Sequence, residues 1–167
     1  MPKSFAIILL SALFFLSILH VSVSKKDHFV VEGKVYCDTC RIQFFTRVSK
    51  WMHGAKVKLV CREEEGGSET LAVEAETGKN GEYTIKVDGD HEEEVCEVNL
   101  VKSSDDDCAE VPTDGFGHRA RVSITANDGI TNPMRQANPL GFMKKETLPQ
   151  CKEVLRELGF DEAGLPV

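Results

Sequence analysis

The chain has 167 residues, 28% of them charged, and a formal net charge of −7 at pH 7. This length is typical of one ordinary domain and is sufficient to bury a hydrophobic core. The acidic balance argues against a protein that binds nucleic acid or an anionic membrane, because both partners require a basic face.

The first 24 residues have the pattern of a secretory signal peptide. One positive residue precedes an almost wholly apolar run over residues 5–19, and the small residues Ser22 and Ser24 occupy the −3 and −1 positions of a cleavage site. The alternative is a transmembrane anchor over residues 5–23, a stretch barely long enough to span a bilayer. We predict cleavage after Ser24, a mature domain of residues 25–167, and no membrane insertion after cleavage.

Six cysteines follow the predicted cleavage site, namely Cys37, Cys40, Cys61, Cys96, Cys108 and Cys151. An even number of cysteines after a secretory signal indicates three disulfides formed in an oxidising compartment. We therefore expect a secreted protein of the extracellular space or the cell wall. Six cysteines can pair in 15 ways, and the residue pattern alone leaves most of these pairings open.

Most of the mature chain alternates apolar and polar residues, which is the pattern of half-buried β-strands. The alternating stretches are residues 28–37, 55–62, 71–76, 82–87, 96–100 and 119–124. Polar turns separate them, among them Asn80-Gly81, which readily adopts positive φ. Gly33 falls on the inward face of the first strand and indicates a bulge or the close approach of another backbone segment. Short strands at this spacing predict an all-β sandwich or barrel.

The tail differs from the rest of the chain. We expect residues 127–147 to be irregular, since they contain Pro133 and Pro139 and show little alternation. A short C-terminal helix is predicted over residues 147–159, where one face would hold Cys151, Val154, Leu155 and Leu158. A lone helix of this length is marginal in water, so Cys151 is expected to pin it to the domain.

The motif Cys37-Asp38-Thr39-Cys40 allows three interpretations. A thioredoxin-like redox pair would open a helix, whereas this motif closes a strand. A zinc site would need a second close pair of ligands. Residues three apart on an extended chain face opposite sides, so we favour structural disulfides to distant partners. Cys61 and Cys96 lie on the inward faces of separate strands and suit a buried bridge between them.

No other motif predicts catalysis, a metal or a cofactor. The acidic loop of residues 103–117 could hold calcium, but it lacks the ligand spacing of an EF-hand, and a solvated charge run is the favoured interpretation. There is no Gly-x-Ser-x-Gly motif, and paired cysteines leave no thiolate nucleophile. Surface positions are expected for His28, His53, His91 and His118.

Charge is distributed unevenly along the chain. Residues 41–62 hold six basic residues and no acidic one, whereas residues 63–110 hold 17 acidic residues and three lysines. One interpretation is a basic patch for an acidic wall polysaccharide such as pectin. The favoured one is that Lys56 and Lys58 pair across strands with Glu74, Glu76 or similar neighbours.

Several blocks together resemble the Ole e I-like family, also known as the pollen allergen and extensin domain family. They include Glu32-Gly33-Lys34-Val35-Tyr36-Cys37-Asp38-Thr39-Cys40-Arg41, Gly54-Ala55-Lys56-Val57, Gly81-Glu82-Tyr83 and Asn138-Pro139-Leu140-Gly141-Phe142. The resemblance implies a secreted plant protein of pollen, an antiparallel barrel of about seven strands, a role in pollen hydration or pollen-tube growth, and potential allergenicity. It implies no catalytic residue. Several members are N-glycosylated, but this chain has no Asn-x-Ser/Thr sequon.

The resemblance also implies the remaining disulfides, Cys37–Cys108 and Cys40–Cys151, beside Cys61–Cys96. Barrels of this kind leave recognition to their loops. We therefore expect a partner surface formed by Phe44, Trp51 and Phe116, for an extracellular protein such as a receptor ectodomain. The alternative is a structural cell-wall protein that binds acidic polysaccharide. An enzyme of unrecognised type is the least favoured function.

Overall fold

The alternating stretches of the sequence form the strands of two β-sheets. The computed structural model describes residues 27–161, so the predicted signal peptide and the alternative membrane anchor lie outside the described residues. The elements are β1 (His28–Asp38), β2 (Lys50–Trp51), β3 (Lys56–Arg62), β4 (Glu69–Glu76), β5 (Glu82–Asp88), β6 (Val95–Lys102), β7 (Arg119–Val122), β8 (Met134–Gln136), β9 (Leu140–Met143) and helix α1 (Cys151–Glu157). Within residues 27–161, no helix has the length and apolar character needed to cross a membrane.

Strand β1 organises the first sheet, which has five strands. Its first half pairs antiparallel with β5, and its last residues pair antiparallel with β2. Strands β8 and β9 pair with it in the parallel direction. The second sheet has four antiparallel strands in the order β4-β3-β6-β7. With 11 residues, β1 is long enough to join four other strands.

One hydrophobic core takes side chains from both sheets, as an all-β sandwich requires. Val31 and Val35 of β1, and Val57 and Leu59 of β3, are fully buried in it. Each buried side chain of this size contributes about 1.5–3 kcal/mol relative to an exposed one. The prediction of an all-β fold with a short C-terminal helix is confirmed, and the strand count rises from about seven to nine among the described residues.

Two glycines lie at positions that the sequence singles out. A Cβ atom on Gly33 would overlap the phenol of Tyr83, so a close approach does exist, but a side chain makes it and not the backbone that the sequence predicts. Gly81 has φ of +72° and donates its N–H to the carbonyl of Gly78, closing the turn before β5.

The prediction of an irregular tail over residues 127–147 is wrong. Strands β8 and β9 form there and run parallel to β1, so the first sheet is mixed rather than purely antiparallel. They have only three and four residues, too few to show alternation, and their partner strand lies about one hundred residues earlier. The pairing buries Leu140 and Phe142 in the core, which favours a strand despite Pro139.

Helix α1 is shorter than predicted. It begins at Cys151 rather than 147, because the preceding residues form a turn in which Cys151 donates its N–H to the carbonyl of Leu148. Gly159 follows the helix with φ of +78°, and Phe160 donates its N–H to the carbonyl of Leu155. This is the arrangement by which a glycine in the left-handed region ends a helix.

Asp38, the last residue of β1, fixes the course of the loop that follows. Its side chain is fully buried, and its carboxylate accepts N–H bonds from Cys40 at 3.1 Å, Arg41 at 2.9 Å and Gln43 at 2.6 Å. Arg41 and Gln43 have φ of 58° and 56°, values that non-glycine residues seldom adopt. The carboxylate therefore holds a tight, strained turn directly after the strand.

Three disulfides tie the elements together. The structure contains Cys37–Cys108 and Cys40–Cys151, which the family resemblance implies, and Cys61–Cys96, the bridge expected from the inward faces of two strands. The first joins the end of β1 to the loop before β7, and the second joins the turn after β1 to α1. The third joins directly opposite residues of β3 and β6. Each therefore fastens a different part of the chain.

The bond between Cys40 and Cys151 should stabilise the tail rather than the sandwich. Val154 and Leu155 of α1 are buried but lie outside the main core cluster. We expect the double variant Cys40→Ser/Cys151→Ser to lose about 2–4 kcal/mol of the free energy that holds α1 on the sandwich, which is the typical contribution of a disulfide. In native-state hydrogen exchange the loss of protection should be confined to residues 147–161. Uniform loss of protection in both sheets would contradict this assignment.

Replacing Asp38 by Asn should cost about 1–3 kcal/mol, because one buried N–H of the turn loses its acceptor. The urea midpoint of Asp38→Asn reports this loss. Asp90→Asn is the matched control, since Asp90 also accepts N–H bonds, from Glu92 and Ala126, but is exposed to water. Equal losses of stability in the two variants would show that the burial of the Asp38 carboxylate has no special role.

Candidate recognition site at the end of the long strand

Two loops meet beside the end of β1. The first, residues 41–49, follows the Asp38 turn, and the second, residues 103–117, precedes β7. The disulfide Cys37–Cys108 joins the end of β1 to the second loop. The oxygen Oε1 of Gln43 accepts the N–H of Gly117 at 3.1 Å. The two loops are therefore held together at more than one point.

Arg41 supplies a further link between these loops. Its guanidinium donates from Nη1 and Nη2 to the two carboxylate oxygens of Glu110, each at 2.7 Å, and from Nη1 to the carbonyl of Lys144 at 2.7 Å. The Arg41 hydrogen bond is the main cause that holds the pKa of Glu110 below its usual value. A bidentate arginine–carboxylate pair of this kind fixes the relative orientation of the two side chains as well as the distance between them. The strained φ of Arg41 thus aims its side chain at the second loop.

The helix is attached to the same end of the molecule. Arg47 donates from Nε to Glu157 at 3.0 Å and lies 3.6 Å from Glu153. Both carboxylates are on α1, and the disulfide Cys40–Cys151 fastens the start of that helix. Exposed ion pairs contribute little to stability, so the disulfide is the dominant link.

An apolar groove of about 340 Å³ lies between these elements. We call it the aromatic groove, and it is lined by Ile42, Gln43, Phe44, Gly115, Phe116 and Phe160. Phe44 is 59% exposed and Phe116 is 91% exposed, which is unusual for large apolar side chains that adjoin one another. Gly115 and Gly117 both lie close to the side chain of Gln43, so the floor of the groove is packed.

The predicted surface of Phe44, Trp51 and Phe116 is divided by the structure. Phe44 and Phe116 line the aromatic groove, whereas Trp51 lines a separate cavity of about 260 Å³. The ring of Trp51 stacks on Phe45 at 4.2 Å between centroids, and the amine of Lys34 lies 5.1 Å from its centroid. These contacts hold Trp51 against the sheet. The exposed aromatic surface in the groove is therefore formed by Phe44 and Phe116.

Sequence reasoning missed Ile42, Gln43 and Phe160 as groove residues. Phe160 follows the helix-ending Gly159, and the links between α1 and the first loop, chiefly the disulfide, bring it into the groove. Gln43 has an ordinary sequence context, and its role depends on its positive φ. No periodicity or motif in the chain signals either contact.

The basic residues of 41–62 do not form a free stripe. Arg41 and Arg47 are in the ion pairs described above, and Lys58 and Arg62 both pair with Glu69, at 3.2 and 2.9 Å. Lys56 and Lys58 lie directly opposite Glu76 and Glu74 in the β3–β4 register, as the cross-strand interpretation predicts. The ion pair of Lys58, however, is with Glu69. Four of the six basic residues thus form ion pairs with carboxylates of this chain.

The pKa shifts of titratable groups near the groove are explained by burial and by the contacts that hold the fold together. Burial raises the pKa of Asp38, although its backbone N–H bonds oppose that shift, the one to Gln43 most. Burial, and then the neighbouring Asp38 charge, raises the pKa of Tyr36, whose phenol therefore stays neutral. All six cysteines are in disulfides. None of these groups is arranged as a nucleophile with a base.

The acidic loop of residues 103–117 is held by internal contacts. Asp107 pairs with Lys144, whose hydrogen bond is the main cause that lowers the carboxyl pKa of Asp107. Asp105 accepts the N–H of Asp107 at 2.9 Å. Among the described residues, the loop provides no group of three side chains with metal-ligand geometry.

Two of the four histidines expected at the surface are partly buried, which corrects that prediction. His28 and His53 are exposed, but His91 and His118 each have a buried ring nitrogen with no recorded hydrogen-bond partner. The reason for His91 is that its turn folds against the second sheet, where it donates its N–H to the carbonyl of Ile124. Together with Cys61, Glu94 and Cys96 it forms a compact group of ligand-type side chains.

The comparisons with known proteins agree with this architecture. The family described as "Pollen protein Ole e 1 like" matches residues 27–159. The "Olee1-like protein" of Betula pendula is 56% identical over 162 residues and 96% of each chain. The "Anther-specific protein LAT52" of Solanum lycopersicum is 49% identical over 154 residues, which cover 92% of this chain and 94% of that protein.

A solved structure shows the same fold. The major plantain pollen allergen Pla l 1 superimposes with a TM-score of 0.66 at 35% sequence identity, and the match covers 74% of this chain and 99% of that one. The sequence blocks, the disulfides, the family match and this structural likeness are mutually consistent. The chain belongs to the Ole e 1-like family of pollen proteins.

Proposed function

We propose that this protein is a secreted, non-enzymatic binding protein of pollen that acts in pollen hydration or pollen-tube growth. Its partner is an extracellular protein such as a receptor ectodomain, which docks on the aromatic groove. Membership of the family supports the pollen role, as do relatives named as pollen allergens and as an anther-specific protein. Potential allergenicity follows from the same relatives.

The exposure of Phe116 and Phe44 beside each other is the observation that carries the proposal. Aromatic side chains that become buried on association supply much of the affinity of protein interfaces. The groove is also preorganised, because Gln43 joins the two loops and the disulfides fasten their roots. A preorganised surface loses less conformational entropy on binding, which favours a specific complex.

The structural contacts favour a protein over an acidic polysaccharide as the partner. Recognition of pectin would use free basic side chains, whereas Arg41, Arg47 and Arg62 are committed to carboxylates of this chain. Trp51 has Phe45 on its ring and Lys34 within 5.1 Å of its centroid, so it is a poor platform for stacking a sugar. The structural cell-wall function therefore remains the alternative.

The substitutions Phe44→Ala and Phe116→Ala should each weaken binding to the partner at least about tenfold, because each removes an aromatic anchor from the groove. The refolded mature domain would first capture the partner from pollen-tube extract. The affinity of the identified partner for each variant would then be measured by calorimetry, with circular dichroism to confirm folding.

Ile130→Ala is the matched control, since Ile130 is 52% exposed and lies outside the groove. It should bind like the unaltered protein. If both groove variants remain folded and keep full affinity, the recognition surface lies elsewhere on the molecule. Binding of pectin in place of any protein would favour the cell-wall alternative.

A further inference from the structure

Strand β4 forms an edge of the second sheet. It pairs with β3 on one side, and within residues 27–161 no ladder joins its other side to a strand. The next strand, β5, follows after the turn of residues 77–81 but pairs with β1 in the first sheet. Strand β4 has eight residues, whereas β7 at the opposite edge has four. The second sheet therefore presents one long edge that the fold does not pair.

The unpaired backbone groups of this edge belong to Ala72, Glu74 and Glu76. Thr77, directly after the strand, donates its N–H to the carbonyl of Ala55 at 2.9 Å, so its backbone faces β3. Backbone direction alternates along a strand, and the three residues therefore direct their N–H and C=O groups away from β3. Within residues 27–161 no backbone group bonds to them from that side. Such a row of free groups is ready to pair with another chain.

The apolar side chains of β4 are only partly covered. Leu71, Val73 and Ala75 pack against the core but stay partly exposed. The inward side chains of β3 and β5, in contrast, are all buried. A strand added beside β4 would remove more of this apolar surface from water, which is favourable. Strand addition would thus supply apolar burial as well as hydrogen bonds.

The free edge is acidic. Glu74 and Glu76 are exposed and form no ion pair with a described residue, unlike Glu69 at the start of the strand. Residues 63–94, which contain β4 and β5, hold 12 acidic residues and two lysines. A surface potential of one sign attracts a partner of the opposite sign and excludes partners of its own sign. A basic segment is therefore the complementary occupant.

Strand β3 shows which sequence suits β4. It alternates outward lysines with inward apolar residues, and its Lys56 and Lys58 lie directly opposite Glu76 and Glu74. A strand on the free side would place its side chains on the same two faces of the sheet. Alternating basic and apolar residues therefore fit the free side of β4 as they fit the paired side.

A second copy of this chain is a poorer occupant. Antiparallel pairing of two β4 strands would bring Glu74 and Glu76 of both chains onto one face of a short ladder. Like charges at facing positions of a ladder are destabilising, whereas opposite charges there are stabilising. The charge of the edge thus favours a different, basic chain over self-association.

We propose that the free edge of β4 binds an extended, basic segment of another extracellular protein by strand addition. The segment pairs its backbone with Ala72, Glu74 and Glu76, places apolar side chains beside Leu71 and Val73, and directs basic side chains at the two carboxylates. The edge contains no residue of the aromatic groove, so it is a second recognition surface of the protein.

The test uses the folded mature protein and a capped fluorescent peptide with the alternating lysine and valine pattern of β3. Hydrogen exchange should show new protection of the amides of Ala72, Glu74 and Glu76 when the peptide is bound, because their N–H groups then have acceptors. The amides of Leu71 and Val73, which face β3, should change little. Protection of another strand in place of β4 would overturn the proposal.

Two control peptides separate strand addition from charge attraction. The first carries a methyl group on each backbone nitrogen, so it keeps its charge but has no N–H to donate. It should bind at least about tenfold more weakly than the unmodified peptide, since several hydrogen bonds are lost. The second has glutamate in place of lysine and should not bind. Equal affinity of the methylated and unmodified peptides would overturn the proposal.

Charge variants of the protein locate the site. Glu74→Gln/Glu76→Gln should weaken binding of the lysine peptide on the order of tenfold, because two cross-strand charge pairs are removed. Glu63→Gln/Glu64→Gln is the matched control, since it changes the net charge equally in the exposed turn before β4. The control should bind like the unaltered protein. Equal weakening in the two variants would show general charge attraction and contradict the proposal.

A backbone variant tests the pairing from the protein side. Ala72→Pro removes an N–H that points away from β3, and proline is tolerated at such edge positions. Circular dichroism should show an intact fold while peptide binding is lost. Full affinity of folded Ala72→Pro would overturn the proposal. So would a dimer of the unaltered protein, seen by ultracentrifugation without peptide, whose formation protects the β4 amides, because the edge would then belong to a second copy.

Discussion

Three constraints at the end of β1 position the two loops and the helix that frame the aromatic groove. Cys37 is bonded to the loop before β7, Asp38 collects three backbone N–H groups of the following turn, and Cys40 is bonded to helix α1. The turn is consequently strained at Arg41 and Gln43, and that strain aims the side chains of both residues at the second loop. A short stretch of four residues thus joins the core to the groove.

Different forces hold different layers of the molecule. Buried apolar side chains of both sheets stabilise the sandwich. Their combined contribution to the free energy of folding is far larger than that of any polar contact at the surface. Helix α1 has seven residues, too few to persist alone, so its disulfide and the buried Val154 and Leu155 stabilise it. The ion pairs of Arg41 and Arg47 add little energy and mainly set orientation. The core side chains, the disulfide of α1 and the ion pairs therefore stabilise or orient different parts of the molecule.

The sequence predicts the sandwich well and the site only in part. Alternation predicts β1 and β3 through β7 because each has one face in the core, and Gly33 marks its close approach to Tyr83. Strands β8 and β9 escape prediction, since their short pairing depends on a partner far away in the chain. The exposure of Phe44 and Phe116 was anticipated, but their separation from Trp51 and the arrival of Phe160 depend on loop geometry. The burial of His91 depends likewise on how its turn packs against Ile124.

The end of β1 should make the adjoining loops as rigid as the sheet. Residue-resolved hydrogen exchange of the mature protein tests it most directly. We predict that the amides of Arg41, Gln43 and Gly117, all bonded to side chains of the site, exchange as slowly as amides of β1. The exposed turn of residues 63–67 supplies the reference for a mobile segment. Exchange of the three amides at the rate of that turn would contradict the account.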